Sequence, residues 1–513
     1  MINITIDGRP LRVDPGSTIL DAARAAGITI PTLCHLPQHA PTSCLVCVVR
    51  VNNSPRLVPS CATKVTDGMS IESDSPDVHL ARRTALELLL SDHAGDCLAP
   101  CQLVCPAHMH IDRMLHLIAT ENFAEAIAVV KQHIPLPAVL GRICPDLCEK
   151  NCRRSHHGGA VSICRLKRFV ADHDLASPSP YQPAKAPATG KRIAIIGAGP
   201  AGLSAAYYLL IAGHDVTIFD QHDQPGGALR YAIDADHLPR AVLDQEISQI
   251  TKLGLHFVGN ARLGDSLSIT KLHQDFDATI LALGPVDPAF AQSLGLALAH
   301  KGLKINPATG ETSAPRVFAT GAAVTPYRLA VRAVADGHTL AQQVHAFLTH
   351  TAAADKRAGR FSVRLNVLDP QEMAAVLALA SDAPRSQPAT SFTRDEAVAE
   401  AQRCVSCGCA SANDCDLRRY AATYHADPHH FCGQRRQLAP AAHAGNVIFE
   451  PGKCIACGRC VALTANHGPA QTYLHRGFDM RIAPTFDATF ADAVATRAAE
   501  VVAACPTAAI RWS

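Results

Sequence analysis

No cysteine lies between Cys164 and Cys404, although the chain of 513 residues has 20. Eleven precede that gap and nine follow it, so any thiol chemistry is kept to the two flanks. An excess of one charge is missing too: 47 Lys and Arg stand against 45 Asp and Glu, a net charge of +2. That balance gives no electrostatic footing on nucleic acid or an anionic membrane. The opening MINITIDG has neither a basic n-region nor an apolar h-region. No secretion signal is therefore expected there, and the chain is expected in the cytoplasm. Ile193 to His214 carries no Asp, Glu, Lys or Arg and is long enough for a membrane span. Its glycines and strand–helix pattern argue for a folded nucleotide unit instead, so no span is expected. A nucleophile elbow and metal-protease spacing are also absent, so no catalytic residue is expected.

What is present is apolar residue enough, 48%, to bury several cores, and length for three to five domains. Cysteines grouped as C-x2-C and C-x3-C in a chain expected to be cytoplasmic read as metal or iron–sulfur ligands rather than disulfides. Between the flanks stands KRIAIIGAGPAGLSAAYYL, residues 191 to 209. A short β-branched run, Ile193 to Ile196, leads into Gly197, Gly199 and Gly202 in G-x-G-x-x-G spacing, with Pro200 and Ala201 between. An apolar helix pattern and a second strand, Asp215 to Phe219, lead to Asp220. Strand, glycine turn, helix and an acid about 20 residues on make a dinucleotide fingerprint. The glycines admit a pyrophosphate to the positive end of a helix, and Asp220 offers an acceptor to a ribose hydroxyl.

Taken in order, residues 2–7 and 9–14 alternate around Asp7-Gly8 and predict a hairpin. Ser17 or Thr18 caps a helix that Gly27 stops. Cys34, Cys44, Cys47 and Cys61 follow as C-x9-C-x2-C-x13-C, the ligand set of a [2Fe–2S] site. Cys97, Cys101, Cys105, Cys144, Cys148, Cys152 and Cys164 form a second set, with helical periodicity from Ile111 to Gln132 between its halves. Residues 172–190 read as a linker. Cys404, Cys407, Cys409 and Cys415 fall within twelve residues and are expected to share a site, iron–sulfur or structural zinc. Cys432 reads as a buried free thiol. Cys454, Cys457 and Cys460 with the distant Cys505-Pro506 make half of a bacterial ferredoxin pattern, hence one [4Fe–4S] cluster.

These strings carry resemblances. Residues 1–80 resemble the [2Fe–2S] ferredoxin domain of NADH dehydrogenase and iron-only hydrogenase subunits. Residues 81–175, with HAGDCLAPCQLVCP and GRICPDLCEKNC, resemble the helical iron–sulfur domain of the glutamate synthase small subunit and dihydropyrimidine dehydrogenase. That resemblance implies two [4Fe–4S] clusters. One would take Cys97, Cys101 and Cys152, with His93 as fourth ligand in place of the family's missing first cysteine. The other would take Cys105, Cys144, Cys148 and Cys164. Residues 190–350 resemble the same family's FAD domain, through QPGGALRYAI, LPRAVLDQEI and the closing VFATGAA. The likeness implies that Gly226, Gly227, Leu229 and Arg230 approach a flavin, that a buried strand ends at Gly284, and that Gly321 and Ala322 close the site. Ala322 replaces the family's Asp. The family's nicotinamide domain, with its own glycine fingerprint, is missing after Gly284. Residues 351–400 read as a helical linker, with Thr393 as a cap, and 401–513 as a C-terminal iron–sulfur domain.

The fold expected is multidomain α/β and α+β: a β-grasp [2Fe–2S] domain, a helical double-cluster domain, a Rossmann-like FAD domain and a ferredoxin-like C-terminus. The cofactors expected are FAD, one [2Fe–2S] cluster and three to four [4Fe–4S] clusters. The function expected is electron relay within a complex of redox subunits rather than a stand-alone enzyme. The partners would be an NADH-dehydrogenase-like module and a hydrogenase, formate dehydrogenase or similar enzyme, with no NAD(P)H bound by this chain. The alternative is a self-contained NAD(P)H oxidoreductase. A non-redox scaffold with zinc in the cysteine groups is a third reading.

Overall fold

The computed structural model describes all residues except 352–360, 366, 432, 434, 437, 440 and 513. Cys432 therefore lies outside the described residues. Two compact units emerge, and the chain passes between them more than once. The first comprises residues 1–98, 355–379 and 407–513; the second comprises 99–354 and 380–406.

The first unit begins with β1 (Ile2–Ile6) and β2 (Arg9–Val13), paired antiparallel from Ile2 opposite Val13 to Ile6 opposite Arg9. The turn works because Asp7 and Gly8 both adopt positive φ, 50° and 75°, which suits a short hairpin. Thr18 then caps the helix Ile19–Ala25 with a full capping box to Asp21. With β3 (Val48–Val51), β4 (Leu57–Pro59) and β5 (Met69–Glu72) the sheet has five strands in the order β2-β1-β5-β3-β4. Ile4, Ile6, Ile19, Leu20 and Ile71 fill the space between sheet and helix, and Cys47 and Cys61 sit at the edge of that core.

The second unit is centred on β6 (Arg192–Ile196), β7 (Asp215–Phe219), β8 (His256–Val258), β9 (Ala278–Leu281) and β10 (Val317–Ala319). All pair parallel, in the order β10-β9-β6-β7-β8. Such a sheet must be covered on both faces. The helices Pro200–Ile211 and Ala330–Thr349 cover one face. They pack so closely that a Cβ on Gly337 would lie 2.2 Å from the Ala201 carbonyl oxygen. The apolar run Ile193 to His214 is thus a central strand and a 12-residue helix, and among the described residues no helix is long and apolar enough to cross a membrane.

Ahead of the sheet come the helices Ile111–Ala119, Phe123–Lys131, Pro137–Ile143 and Ile163–Leu175. The periodic stretch 111–132 is two helices, because Glu121 takes positive φ (60°) and Asn122 caps a new start by accepting from Glu125 N. The last of these helices reaches Leu175, so the expected linker begins later than residue 172. Glu246 ties the two parts of this unit together. It accepts from Ala138 N and Val139 N, at 2.7 and 2.8 Å, at the start of Pro137–Ile143.

The first unit resumes with the capped helix Pro370–Leu377 and with Asp416–Thr423. The strands β11 (Ala442–Ala444), β12 (Val447–Phe449), β13 (Gln471–Leu474), β14 (Arg481–Pro484) and β15 (Ile510–Trp512) follow. They form a three-stranded sheet, β11-β12-β15, and a β13-β14 hairpin. Arg82, 2% exposed on the helix Pro76–Ser91, joins the early and late parts. It donates to the Tyr424 hydroxyl at 2.8 Å and to the Val48 carbonyl at 3.0 Å.

Candidate functional site

The first four cysteines are all buried and fall into two pairs. Cys34 and Cys44 sulfurs are 3.4 Å apart, and Cys47 and Cys61 sulfurs 3.5 Å apart. Two thiolates on one tetrahedral iron or zinc lie about 3.8 Å apart. Two such pairs suit two irons, each taking two thiolates, so the residues fit a [2Fe–2S] group. Hydrogen bonding within each pair pushes Cys34 and Cys47 down and Cys44 and Cys61 up. Thiols poised in this way are ready metal ligands.

At the C-terminal end Cys454, Cys457, Cys460 and Cys505 line one cavity, walled by Phe449, Ile482, Val501 and Ile510. Cys454 and Cys505 sulfurs accept backbone N–H groups from Ala456 and Ile510, both at 3.4 Å. Burial, then the charges of their neighbours, pushes Cys454 up to about 12 and Cys457 to about 11. Cys34 is among the charges felt by Cys457, so this cavity and the [2Fe–2S] loop are close neighbours within one unit.

In the second unit Cys105, Cys144, Cys148 and Cys164 surround the buried Lys167. Burial works against the ammonium, but the charges of Cys164, Cys144, Cys148 and Cys105 more than offset this and hold its proton. Cys148 and Cys164 sulfurs stand 4.0 Å apart. A charged Lys167 cannot ligate iron; it sets a fixed positive charge beside the four thiols. Cys101 is buried on the short helix Pro100–Val104 of the same unit.

The expected Cys404–Cys415 group is divided between the two units. Cys404 belongs to the second unit, where burial pushes it up to about 12 and the charges of Asp112 and Cys152 add to that. Its place follows from Arg403, which is wholly buried. Arg403 donates to the carbonyls of Gly158, Gly159, Ala160 and Ala383 and to Glu400. Cys407, Cys409 and Cys415 belong to the first unit. There the Cys409 N–H donates to the Cys97 carbonyl at 3.2 Å, and burial followed by the charges of Cys97 and Cys409 pushes Cys415 up to about 12. Nothing local in the sequence marks Arg403 as an anchor.

The three fingerprint glycines have three separate jobs. Gly197 turns at φ 108°, and a Cβ there would meet the Ala282 carbonyl oxygen at 2.4 Å. Gly202 lets the helix pack down, since its Cβ would lie 2.0 Å from the Gly197 carbonyl oxygen. Gly199, at the start of the helix, has nothing within 4 Å of such a Cβ, so its outer face is free for a pyrophosphate. Gly226 and Gly227 fold over this loop, with Gly226 N donating to the Ala198 carbonyl at 2.9 Å. Leu229 is buried, and Arg230 is pinned by Asp244 and by the Pro225 carbonyl. Asp220 is more engaged than its expected ribose role requires. Oδ2 accepts from Ala198 N at 2.7 Å, and Oδ1 faces His222 N and Nδ1 at 2.9 and 2.8 Å. Gly284 and Gly321 both take positive φ, and the half-buried Ala322 sits in the middle of the closing turn Gly321–Ala323 after β10. From Gly284 to β10 the described chain forms the helix Pro288–Ser293 and short bridges, without a second parallel sheet.

Groups of buried and half-buried thiols and a glycine-cradled parallel sheet define an iron–sulfur, nucleotide-fold protein of the oxidoreductase class. Comparison with known proteins agrees. Residues 1–76 match the 2Fe–2S iron–sulfur cluster binding domain, and residues 90–178 match dihydropyrimidine dehydrogenase domain II, 4Fe–4S cluster. Residues 195–252 match the NAD(P)-binding Rossmann-like domain. Among curated relatives is the NAD-dependent dihydropyrimidine dehydrogenase subunit PreT of Salmonella typhimurium, 37% identical over 45% of this chain and 58% of that one. The NADP(+)-dependent formate dehydrogenase subunit beta of Moorella thermoacetica is 39% identical over 36% and 29%. The NADPH-Fe(3+) oxidoreductase subunit beta of Geobacter sulfurreducens is 38% identical over 36% and 28%. The chain thus spans between roughly a quarter and three fifths of the length of these relatives. It carries the iron–sulfur and Rossmann-like domains of this redox-subunit group.

Proposed function

We propose that the chain is an electron-transfer flavoprotein and iron–sulfur subunit. It holds FAD over the Gly197–Gly202 loop, one [2Fe–2S] cluster and three to four [4Fe–4S] clusters, and relays electrons between partner redox subunits. When bound, the clusters supply one-electron transfer and the flavin exchanges electron pairs for single electrons. The protein's own residues space the thiols, exclude water from them and set Lys167 beside one group. On this reading residues 190–350 form an FAD domain without a nicotinamide domain. The partners are an NADH-dehydrogenase-like module and a hydrogenase, formate dehydrogenase or similar enzyme, and the setting is cytoplasmic.

The observation that carries this reading is the passage from Gly284 to β10, too short for a second nucleotide fold and built as one helix and bridges. Supporting it, one relative is a formate dehydrogenase beta subunit. The competing reading, a self-contained NAD(P)H oxidoreductase, draws on the Rossmann-like match and on the NAD-dependent PreT relative. An anaerobic visible spectrum separates the two. Bleaching by dithionite, with no change on adding NADH or NADPH, is expected; bleaching by either nucleotide alone assigns the chain its own nicotinamide site.

A further inference from the structure

We propose that Cys97, Cys409 and Cys415, together with His93, hold one [4Fe–4S] cluster assembled from opposite ends of the sequence. The inference rests on the iron–sulfur part of the reading above, not on the missing nicotinamide domain. It replaces one set implied by the family resemblance, in which Cys97 and His93 joined Cys101 and Cys152, and one expected from spacing, in which Cys409 and Cys415 joined Cys404 and Cys407.

The geometry brings three backbone segments of the first unit to one place. Cys97 N donates to the Val363 carbonyl at 3.2 Å, and Val363 N donates back to the Cys97 sulfur at 3.4 Å. Leu98 N is held by Ser362 Oγ at 3.2 Å, and Leu365 N by Asp96 Oδ1 at 2.7 Å. Cys409 N then donates to the Cys97 carbonyl, which joins the loops that carry the two cysteines. Cys415 caps the helix Asp416–Thr423, its sulfur accepting from Arg418 N at 3.4 Å. Arg418 is spread over the same loops, donating to the Phe361 carbonyl at 2.9 Å and the Ala412 carbonyl at 3.0 Å. Backbone N–H groups aimed at sulfur are what a thiolate ligand needs to lower its charge density.

The fourth donor is supplied from the segment just before Cys97. His93 Nδ1 is sealed from solvent and has no hydrogen-bond partner, a costly arrangement for a polar atom unless something binds it. Its ring lies against Gly95, where a Cβ would be 3.5 Å from Nε2 and 3.0 Å from Lys453 Cε. Lys453 in turn donates to Glu450 at 2.7 Å. Imidazole, three thiols and a buried ammonium therefore share one neighbourhood.

The site also adjoins the C-terminal cavity, since Leu417 N donates to the carbonyl of Pro506, the residue after Cys505, at 3.3 Å. The first unit would then carry three neighbouring cluster sites.

The test uses the full chain, reconstituted anaerobically, with iron and sulfide counted and reduced samples examined by EPR. Cys97→Ser, Cys409→Ser and Cys415→Ser should each remove the same signal and about four irons. The Cys97→Ser/Cys409→Ser pair should lose no more than either single variant. Cys152→Ser and Cys404→Ser should leave that signal in place. A common signal lost from Cys97→Ser and Cys152→Ser, or from Cys404→Ser and Cys415→Ser, overturns the grouping. A persisting [2Fe–2S] signal shows that a variant is folded. For one that is not, Cys415→Asp keeps an anionic donor and should shift the g-values of that signal alone. In the unmutated protein, ¹⁵N-histidine labelling should reveal one imidazole nitrogen coupled to a reduced cluster and lost in His93→Cys. Absence of that coupling overturns the ligand set. A reconstituted chain that binds no iron overturns the iron–sulfur reading itself.

Discussion

At the scale of single residues, the nucleotide loop separates structural from functional glycine. Gly202 and Gly199 are three positions apart and have opposite surroundings. Gly202→Ala drives a methyl into the Gly197 carbonyl, so the loss should appear as stability, about 1–3 kcal/mol, in a denaturant titration. Gly199→Ala meets no protein atom within 4 Å, so the fold should keep its midpoint. Its flavin affinity should fall about tenfold or more, read by fluorescence titration, because the methyl occupies the space where backbone must approach a pyrophosphate. If Gly199→Ala binds flavin as tightly as the parent, the pyrophosphate does not sit on this loop. Asp220 shows the limit of reading a residue from its position. The acid stands where a fingerprint needs it, yet its two oxygens already serve Ala198 and His222.

At the scale of elements, one buried ion pair decides where a loop goes. Arg403 and Glu400 are both inaccessible. Glu400 accepts from Ser162 N and Ser386 N, at 2.9 and 2.8 Å, while Arg403 takes carbonyls from 158–160. The helix Arg394–Ala401 is thereby clamped onto the loop before Cys164, and Cys404 is delivered next to Cys152. Arg403→Leu leaves a buried carboxylate without its cation and should cost about 3–5 kcal/mol, read from a chemical denaturation curve. Much at this scale was legible beforehand. The Asp7-Gly8 hairpin, the Thr18 and Thr393 caps and the strand–turn–helix of 192–211 follow from local rules of φ, hydrogen bonding and periodicity. The break at Glu121 was not legible, because apolar spacing runs on through it and only packing of the two helices requires a turn.

At the scale of the whole molecule, Glu246 gives the second unit a pH dependence. Burial pushes its carboxyl up from 4.5 to about 7, although two backbone N–H groups favour the charged form. The folded state holds the proton where the unfolded chain has released it. The stability this group contributes is therefore full below pH 4.5 and is lost as pH rises to about 7. A denaturation midpoint followed from pH 4 to 8 should carry that fall, and Glu246→Gln should flatten it. An unchanged profile in the variant would assign the dependence to another group.

The chemistry of this chain was set by residue type and local spacing. Thiols at C-x2-C intervals, a glycine fingerprint and the lack of a second one are properties of short windows, and short windows are what local physics reads. Which thiols meet was decided only in three dimensions. Cys97 and Cys415 are brought together by backbone pairing through Val363, Cys409 and Arg418, contacts between segments far apart in the chain. Their energy comes from burying polar groups against specific partners, and no interval in the sequence records that.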